Sequence, residues 1–384
     1  MRSLKKSLQF SLYEFFHENG ISLIPTKSAF SQRRNELKYQ VFIELNDRLV
    51  AGIYEENRLR YWNDFRLLAI DGSTLNLPQS QELIDEFGTQ GNQFDQYPMA
   101  QMSCCFDLLN HLTIAAQITK YKVSEFQRAC DLIETIGDSH DLLLFDRGYG
   151  GMWFFHYLTR NHKDYVVRLS KSVFKGAMDQ PDGSEIRTID SLNADGRDSF
   201  KHHNEPFSPF KIRLVHLTLA NGEPELLATS LVDTEVYPDS LFKDLYAMRW
   251  GIEESYKHLK CHGELENFSG KSAESIYQDF YANIFTENLR VMIELDANEA
   301  LERKNQGKEH KYIYQVNRSL SLGFLRGNVI DLLNSGKSYK QVYRKITKLF
   351  QLAPVPIIKG RHNPRVIPRV GQRARFFMSN RRAD

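Results

Sequence analysis

Two acidic residues stand out by where they fall. Asp71 ends the apolar run Phe65-Arg66-Leu67-Leu68-Ala69-Ile70-Asp71 and is followed by Gly72. Asp146 ends Leu142-Leu143-Leu144-Phe145-Asp146 and is followed by Arg147-Gly148. A short apolar run bounded by turn residues reads as a buried strand. An acid at its C-terminal tip reaches the rim of a sheet, where α/β proteins bind ligands. A third carboxylate on a nearby helix would complete a site for hard divalent cations, which take oxygen donors and substrate phosphate oxygens. Two such ions about 4 Å apart activate a nucleophile and stabilise the leaving oxygen at phosphorus.

A long helix read over 240–262, opening after Pro238-Asp239, supplies the third acid. Tyr246, Arg249, Glu253 and Lys260 are spaced 3, 4 and 7 residues apart. At ~100° per residue they fall within about 60° of one another. Leu245, Met248, Ile252, Tyr256 and Leu259 form a neighbouring apolar stripe. Glu253 therefore stands at the edge of the buried face. Arg249 and Lys260 flank it with positive charge suited to phosphates. The same spacing would also serve an amphipathic helix with a solvated charged edge.

These positions need a framework. Residues 1–62 read as short helices. Thr26 to Leu37 starts with capping residues and carries Lys27, Arg33 and Arg34, as a DNA-reading helix or a solvated helix face would. Strands follow at Met102–Leu108 and Leu112–Ile118, then a helix near Ser124–Ile136, a helix near 152–161 and a strand Tyr165–Leu169. Residues 170–232 read as a β-rich insertion around a hairpin turned at Asn221-Gly222. Helices continue through about 270–303 and 325–351. The expected organisation is a helical region at 1–62, where a DNA-reading helix could lie, and a strand-and-helix domain at 63–169 and 233–300, interrupted by the insertion at 170–232. A helical C-terminal region at 301–384 follows. From Lys359 to Asp384 the chain carries eight Lys or Arg and one acid.

The formal net charge of the 384 residues is only +2, which excludes a histone-like polycation but leaves local nucleic-acid surfaces open. A 41% hydrophobic content argues for a packed globular protein rather than disorder. No run of 18 uncharged apolar residues occurs, so no transmembrane helix is expected. Cys104, Cys105, Cys130 and Cys261 show no CxxC spacing, and a reducing cytoplasm is the simplest reading. Gly270-Lys271-Ser272 and Gly336-Lys337-Ser338 are not P-loops, because Leu265 and Asp331 stand where a glycine is needed. His258 and His262 have helical chelate spacing, with Glu254 a further turn back, but no HExxH is present and no fourth ligand is evident. His202-His203 reads as part of a solvated polar loop. A glycosidase pair at Asp71 and Asp146 is disfavoured by the cationic helix stripe beside them.

The helix text Tyr246-x-x-Arg249-x-x-x-Glu253-x-x-x-x-x-x-Lys260 resembles the Y-R-E-K signature of the DDE transposases of bacterial insertion sequences, of the insertion-sequence-four type. Leu68-Ala69-Ile70-Asp71-Gly72-Ser73 is similar to the segment bearing that family's first catalytic Asp. Phe145-Asp146-Arg147-Gly148-Tyr149 is similar to the segment bearing the second. Lys27-Ser28-Ala29-Phe30-Ser31-Gln32 resembles the N-terminal stretch. The acids lie 75 and 107 residues apart, which leaves room for the family's β-strand insertion. The likeness covers about residues 20–290; the last ~80 residues match no motif.

The resemblance implies an α/β, RNase H-like mixed sheet flanked by helices. Asp71, Asp146 and Glu253 would be catalytic and would bind two Mg²⁺ or Mn²⁺ ions, with no ATP. Water would cut a phosphodiester at the element's end, and the freed 3′-hydroxyl would attack another. Tyr246, Arg249 and Lys260 would contact the DNA backbone, and Arg147, beside Asp146, is a further candidate. The implied partners are double-stranded DNA, as inverted-repeat ends and target, and a second copy of the chain, with no membrane. The setting would be the bacterial cytoplasm at the nucleoid. The competing readings are a DNA-binding protein of this fold that has lost transposition, and a nuclease that cuts without joining.

Overall fold

A computed structural model of the chain describes residues 7–358 apart from 19, 57, 92–95, 138, 172, 175, 178, 179, 220, 308–310 and 334–337. The basic segment 359–384 lies outside the described residues, as does most of Gly336-Lys337-Ser338.

The first elements are α1 (Leu8–Glu18), α2 (Lys27–Glu36), α3 (Gln40–Glu55), β1 (Arg66–Asn76), α4 (Gln81–Phe87), β2 (Thr89–Gly91) and β3 (Gln96–Asp107). Next come β4 (Leu112–Lys120), α5 (Glu125–Thr135), β5 (Asp141–Phe145), α6 (Met152–Arg160), β6 (Asp164–Arg168), β7 (Gly183–Ile189) and α7 (Ala194–His202). They are followed by β8 (Phe210–Thr218), β9 (Pro224–Thr229), α8 (Ser240–Ala247) and α9 (Trp250–Cys261). The last are α10 (Ala273–Asn305), β10 (Ile313–Gln315), α11 (Arg318–Arg326), α12 (Val329–Leu333), α13 (Tyr339–Phe350) and β11 (Val355–Ile357). The chain divides into two compact units. One comprises described residues of Met1–Ile53, Asn76–Met99 and Lys257–Asp384; the other comprises Tyr54–Leu75 and Ala100–Tyr256.

In the second unit the strand order is β4-β3-β1-β5-β6-β9-β8-β7. β3 and β4 pair antiparallel. Leu108 N donates to Leu67 O at 2.9 Å, setting β1 against β3. β5 runs parallel to β1 and β6 parallel to β5. A three-strand meander whose first strand is then flanked by two parallel strands is the order of an RNase H-like sheet, as expected. The insertion does not form a separate sheet. β9 pairs antiparallel with β6, and β8 and β7 extend outward from it.

The central strands are buried on both faces. Leu67, Leu68 and Ala69 in β1 and Leu142 to Phe145 in β5 are all 0% exposed, which is why they read as unbroken apolar runs rather than alternating ones. Ser124 caps α5, its side chain accepting from Gln127 N. Phe126 of α5 meets Tyr149, Trp153 and Phe154 edge-on, closing a face of the sheet.

The other unit is mainly helical. The 33-residue α10 starts in a capping box, with Ser272 and Ser275 bonded reciprocally. Its Leu289, Ile293, Ala297 and Leu301 pack with Val316, Leu325, Leu332, Val342, Ile346 and Phe350. β10 and β11 form a small antiparallel pair that hydropathy alone does not reveal. Thr26 caps α2 by accepting from Ala29 N. Arg34 of α2 bonds Gln278 and Asp279 of α10.

Two local readings need correction. The helix expected over 240–262 is broken at Met248 and Arg249, where i→i+3 bonds replace the α-helical pattern, including Arg249 N to Tyr246 O at 3.1 Å. The break leaves Met248 37% exposed, although it belongs to the expected apolar stripe. His202 and His203 do not sit in a solvated loop. His202 ends α7, and His203 stacks on Trp153 at 3.6 Å. Burial there lowers the His203 pKa.

Candidate active site

The register of the parallel strands places the two aspartates. Ala69 of β1 pairs with Leu144 of β5, so two residues further on Asp71 and Asp146 come level on neighbouring strands. Their settings differ. β5 stops at Phe145 and Asp146 lies just past its tip, as read from the sequence. β1 runs on to Asn76, so Asp71 sits within its strand rather than at the end. Each carboxylate is fixed by the backbone amide that follows it. Asp71 Oδ1 accepts from Gly72 N at 2.8 Å, and Asp146 Oδ1 from Arg147 N at 2.6 Å. A 3₁₀ turn over Arg147–Tyr149 then carries the chain away. Gly72 has little room for a side chain, because a Cβ there would lie 3.0 Å from Arg128 Nη2 and 3.4 Å from Ser103 Oγ.

Two tyrosines bring Glu253 to this edge. The Tyr246 hydroxyl donates to Phe145 O at 3.2 Å, tying α8 to the end of β5. The Tyr256 hydroxyl donates to Asp71 O and accepts from Cys104 N at 3.1 Å, tying α9 to β1 and β3. Between these two anchors lie Arg249 and Glu253. Arg249 is 4% exposed. Its Nη2 lies 2.9 Å from Glu253 Oε1 and its Nη1 lies 3.9 Å from Asp71 Oδ2. Its buried Nε has no hydrogen-bond partner among the described residues. The guanidinium also stands over the Tyr246 ring at 5.8 Å and the Trp250 ring at 5.4 Å.

Burial pushes the Asp71 carboxyl up to about 6. The Gly72 amide and Arg249 oppose that rise, while the charges of Asp146 and Glu253 add to it. The three acids are thus within electrostatic reach of one another. Among the described residues, however, no three His, Cys, Asp or Glu side chains already stand as a ligand cluster. Glu253 is turned to Arg249, and the guanidinium provides the positive charge between it and Asp71. An all-oxygen donor set that repels itself and draws a buried cation fits a hard divalent ion.

The remaining expected site residues are less central. Tyr246 is 4% exposed, with its hydroxyl occupied by Phe145 O. Arg147 is exposed beside Asp146. Lys260 lies two turns beyond Glu253 on α9; burial lowers its pKa, against the pull of Glu266. His258 belongs to another cluster, with Nδ1 3.2 Å from Glu287 Oε1. Sequence reasoning missed Arg128, which is 2% exposed and bonds Ser103 Oγ at 2.8 Å as well as Val123 O. The signal was there, because Arg128 falls on the same α5 stripe as the buried Ala129, Leu132 and Ile133. Tyr256 was legible as core, but its bond to the Asp71 carbonyl was not.

A mixed sheet that carries two level acids, joined by a helix-borne glutamate through a buried arginine, defines the class: an RNase H-like domain with an acidic centre. The comparisons narrow this to a family. A family model described as "Transposase DDE domain" matches residues 62–289. The chain belongs to that family, and it is an insertion-sequence transposase of the insertion-sequence-four type. It is 26% identical over 328 residues to "Transposase InsG for insertion sequence element IS4" of Escherichia coli (strain K12), across 80% of this chain and 68% of that protein. A solved structure, "Cryo-EM structure of piggyBac transposase synaptic complex with hairpin DNA", aligns at TM-score 0.41 and 9% identity. That alignment covers 74% of this chain and spans only 57% of the solved one. Among the described residues no helix is long and apolar enough to cross a membrane.

Proposed function

We propose that this protein moves its insertion sequence by a cut-and-paste DDE mechanism on double-stranded DNA. The observation that carries the reading is the level placement of Asp71 and Asp146 on adjacent parallel strands, with Glu253 held through Arg249 at the same edge. Asp71, Asp146 and Glu253 would hold two Mg²⁺ or Mn²⁺ ions. Such ions supply Lewis-acid charge at the attacking and leaving oxygens of an in-line displacement.

The chain's own groups do the positioning. The Gly72 and Arg147 amides orient the two aspartates. Tyr246 and Tyr256 fix α8 and α9 against the strands, so Glu253 is carried on a braced element. Arg249 offsets the mutual repulsion of Asp71 and Glu253 and, with Lys260 and exposed Arg147, offers cations to a phosphate backbone; Tyr246 supports Arg249 from beneath. Hydrolysis frees a 3′-hydroxyl, and that hydroxyl displaces another at phosphorus. Each joining step exchanges one phosphodiester for another, so no ATP is consumed. In this reading residues 1–62 engage the inverted-repeat ends and the helices after 270 meet a second copy in the synaptic complex. The protein works in the bacterial cytoplasm at the nucleoid.

The test is incubation with DNA carrying the element's own inverted repeats and Mg²⁺. The wild type nicks at the repeat boundary. Asp146→Asn loses this by about 10²–10³-fold or more, the scale expected for a group acting at the reacting atoms. Undiminished nicking by Asp146→Asn would sink the assignment.

A further inference from the structure

The α13 helix carries four cations and no acid: Lys340, Arg344, Lys345 and Lys348. At ~100° per residue they span an arc of about 140°, with only Gln341 between them. The buried Val342, Ile346 and Phe350 lie on the opposite side and pack into the α10 core. All four basic residues are exposed. None has an ion-pair partner among the described residues. The buried or half-buried Arg34, Arg66, Arg128, Arg213, Arg249 and Arg290, in contrast, each have a nearby carboxylate. Lys340, Arg344 and Lys348 follow one another at i,i+4, an arrangement that costs a helix a few tenths of a kcal/mol per like-charged pair. Asp296 and Glu299 of α10 border Arg344 and Lys348 in a shared surface pocket, but the four cations still outnumber these acids along the helix.

We propose that this face of α13 is a second DNA-binding surface, separate from the acidic centre, that seats on the phosphate backbone of a duplex. The charge pattern selects the occupant. A second copy cannot pair with it face to face, because a two-fold contact sets the same cations against each other. A polyanion with closely spaced charges matches four cations rising along about two turns of helix. No base-reading geometry is implied, so the surface adds affinity without sequence preference. The inference rests on the reading that the protein works on DNA.

The test uses the full chain and a fluorescent random-sequence duplex of about 30 base pairs, titrated at several salt concentrations. The variant Lys340→Gln/Arg344→Gln/Lys345→Gln/Lys348→Gln is expected to bind at least tenfold more weakly near 0.1 M salt. Its slope of log affinity against log salt should be shallower by up to about 3.6, since each phosphate neutralised contributes about 0.9. A control removes the same charge from exposed lysines elsewhere (Lys120, Lys122, Lys201 and Lys211 to Gln) and should retain wild-type affinity. Lys340→Arg/Lys345→Arg/Lys348→Arg should do so as well. An unchanged slope in the quadruple variant, or equal weakening in the control, overturns the proposal, and so does preference for duplex RNA. Cleavage at repeat ends by wild type and Asp146→Asn is read separately, so failure of this surface leaves the acidic centre standing. A wild type that binds no duplex at all would instead overturn both readings.

Discussion

Two buried arginines each stand between carboxylates in this protein, and they are answered differently. Arg290 of α10 is 2% exposed and is fully engaged, with Nε 2.9 Å and Nη2 2.6 Å from Glu287 Oε1 and Nη1 on Glu294. Burial works to raise the Glu287 pKa, but Arg290 and His258 outweigh it and hold the carboxyl at about 2. Arg249 is nearly as buried, yet it makes one close contact to Glu253, one distant approach to Asp71, and leaves its Nε without a partner among the described residues. Its neighbour Asp71 is displaced the other way, up to about 6. A closed network stabilises the charges it contains and belongs to the scaffold. An open one leaves the charge of its carboxylates incompletely balanced, as the cation binding proposed above requires.

The contrast can be broken most forcefully at Glu287. Glu287→Gln removes one anion from a buried cluster and should destabilise the fold by about 3–5 kcal/mol in urea titration. The group's pKa is depressed by folding, so its contribution is fully present above the ordinary glutamate value of 4.5 and is lost as pH falls through about 2. The variant should therefore show a flatter loss of stability across that range. A loss of only a few tenths of a kcal/mol would place Glu287 among ordinary surface pairs.

At Asp71 the sign reverses. Its carboxyl is raised by folding, so ionisation at neutral pH costs stability, and the metal-free protein should gain from this group as pH falls from about 6 toward 3.8. Asp71→Asn should abolish strand cleavage while raising metal-free stability by up to about 3 kcal/mol. A destabilised Asp71→Asn would show that the ionised acid is scaffold after all.

The smallest expected change is a titration shift. Arg249 is one of the influences that lower Asp71, so Arg249→Gln should raise its midpoint from about 6 by about one unit, read by ¹³C carboxyl titration of metal-free protein. A midpoint that stays put would show that the 3.9 Å approach carries no electrostatic weight.

The acids at the ends of apolar runs were legible because both strands are buried on two faces, and such strands cannot alternate. The strand register, and hence the level placement, was not legible, since it is set by pairing across 75 residues. The break at Met248 and Arg249 was also hidden. Tyr246 to Trp250 contains ordinary helix formers, and the two hydroxyl anchors on α8 and α9, not propensity, decide where each helix docks. Arg249 read as a phosphate-facing cation from its stripe position. Its burial between two acids needed the fold. The β7 strand and α7 escaped notice because their residues are polar and half-exposed, so no hydrophobic period marks them.

The insertion's attachment to β6 has a consequence for strand-to-strand aggregation. With β9 hydrogen-bonded along it, the parallel half of the sheet ends in no bare row of amides and carbonyls. The exposed margin passes instead to β7, a seven-residue strand bearing Glu185 and Arg187, charges that discourage a stray strand from adding on. Excising residues 170–232 as a detachable cassette would move that margin back to the apolar Tyr165-Val166-Val167 and invite aggregation through it.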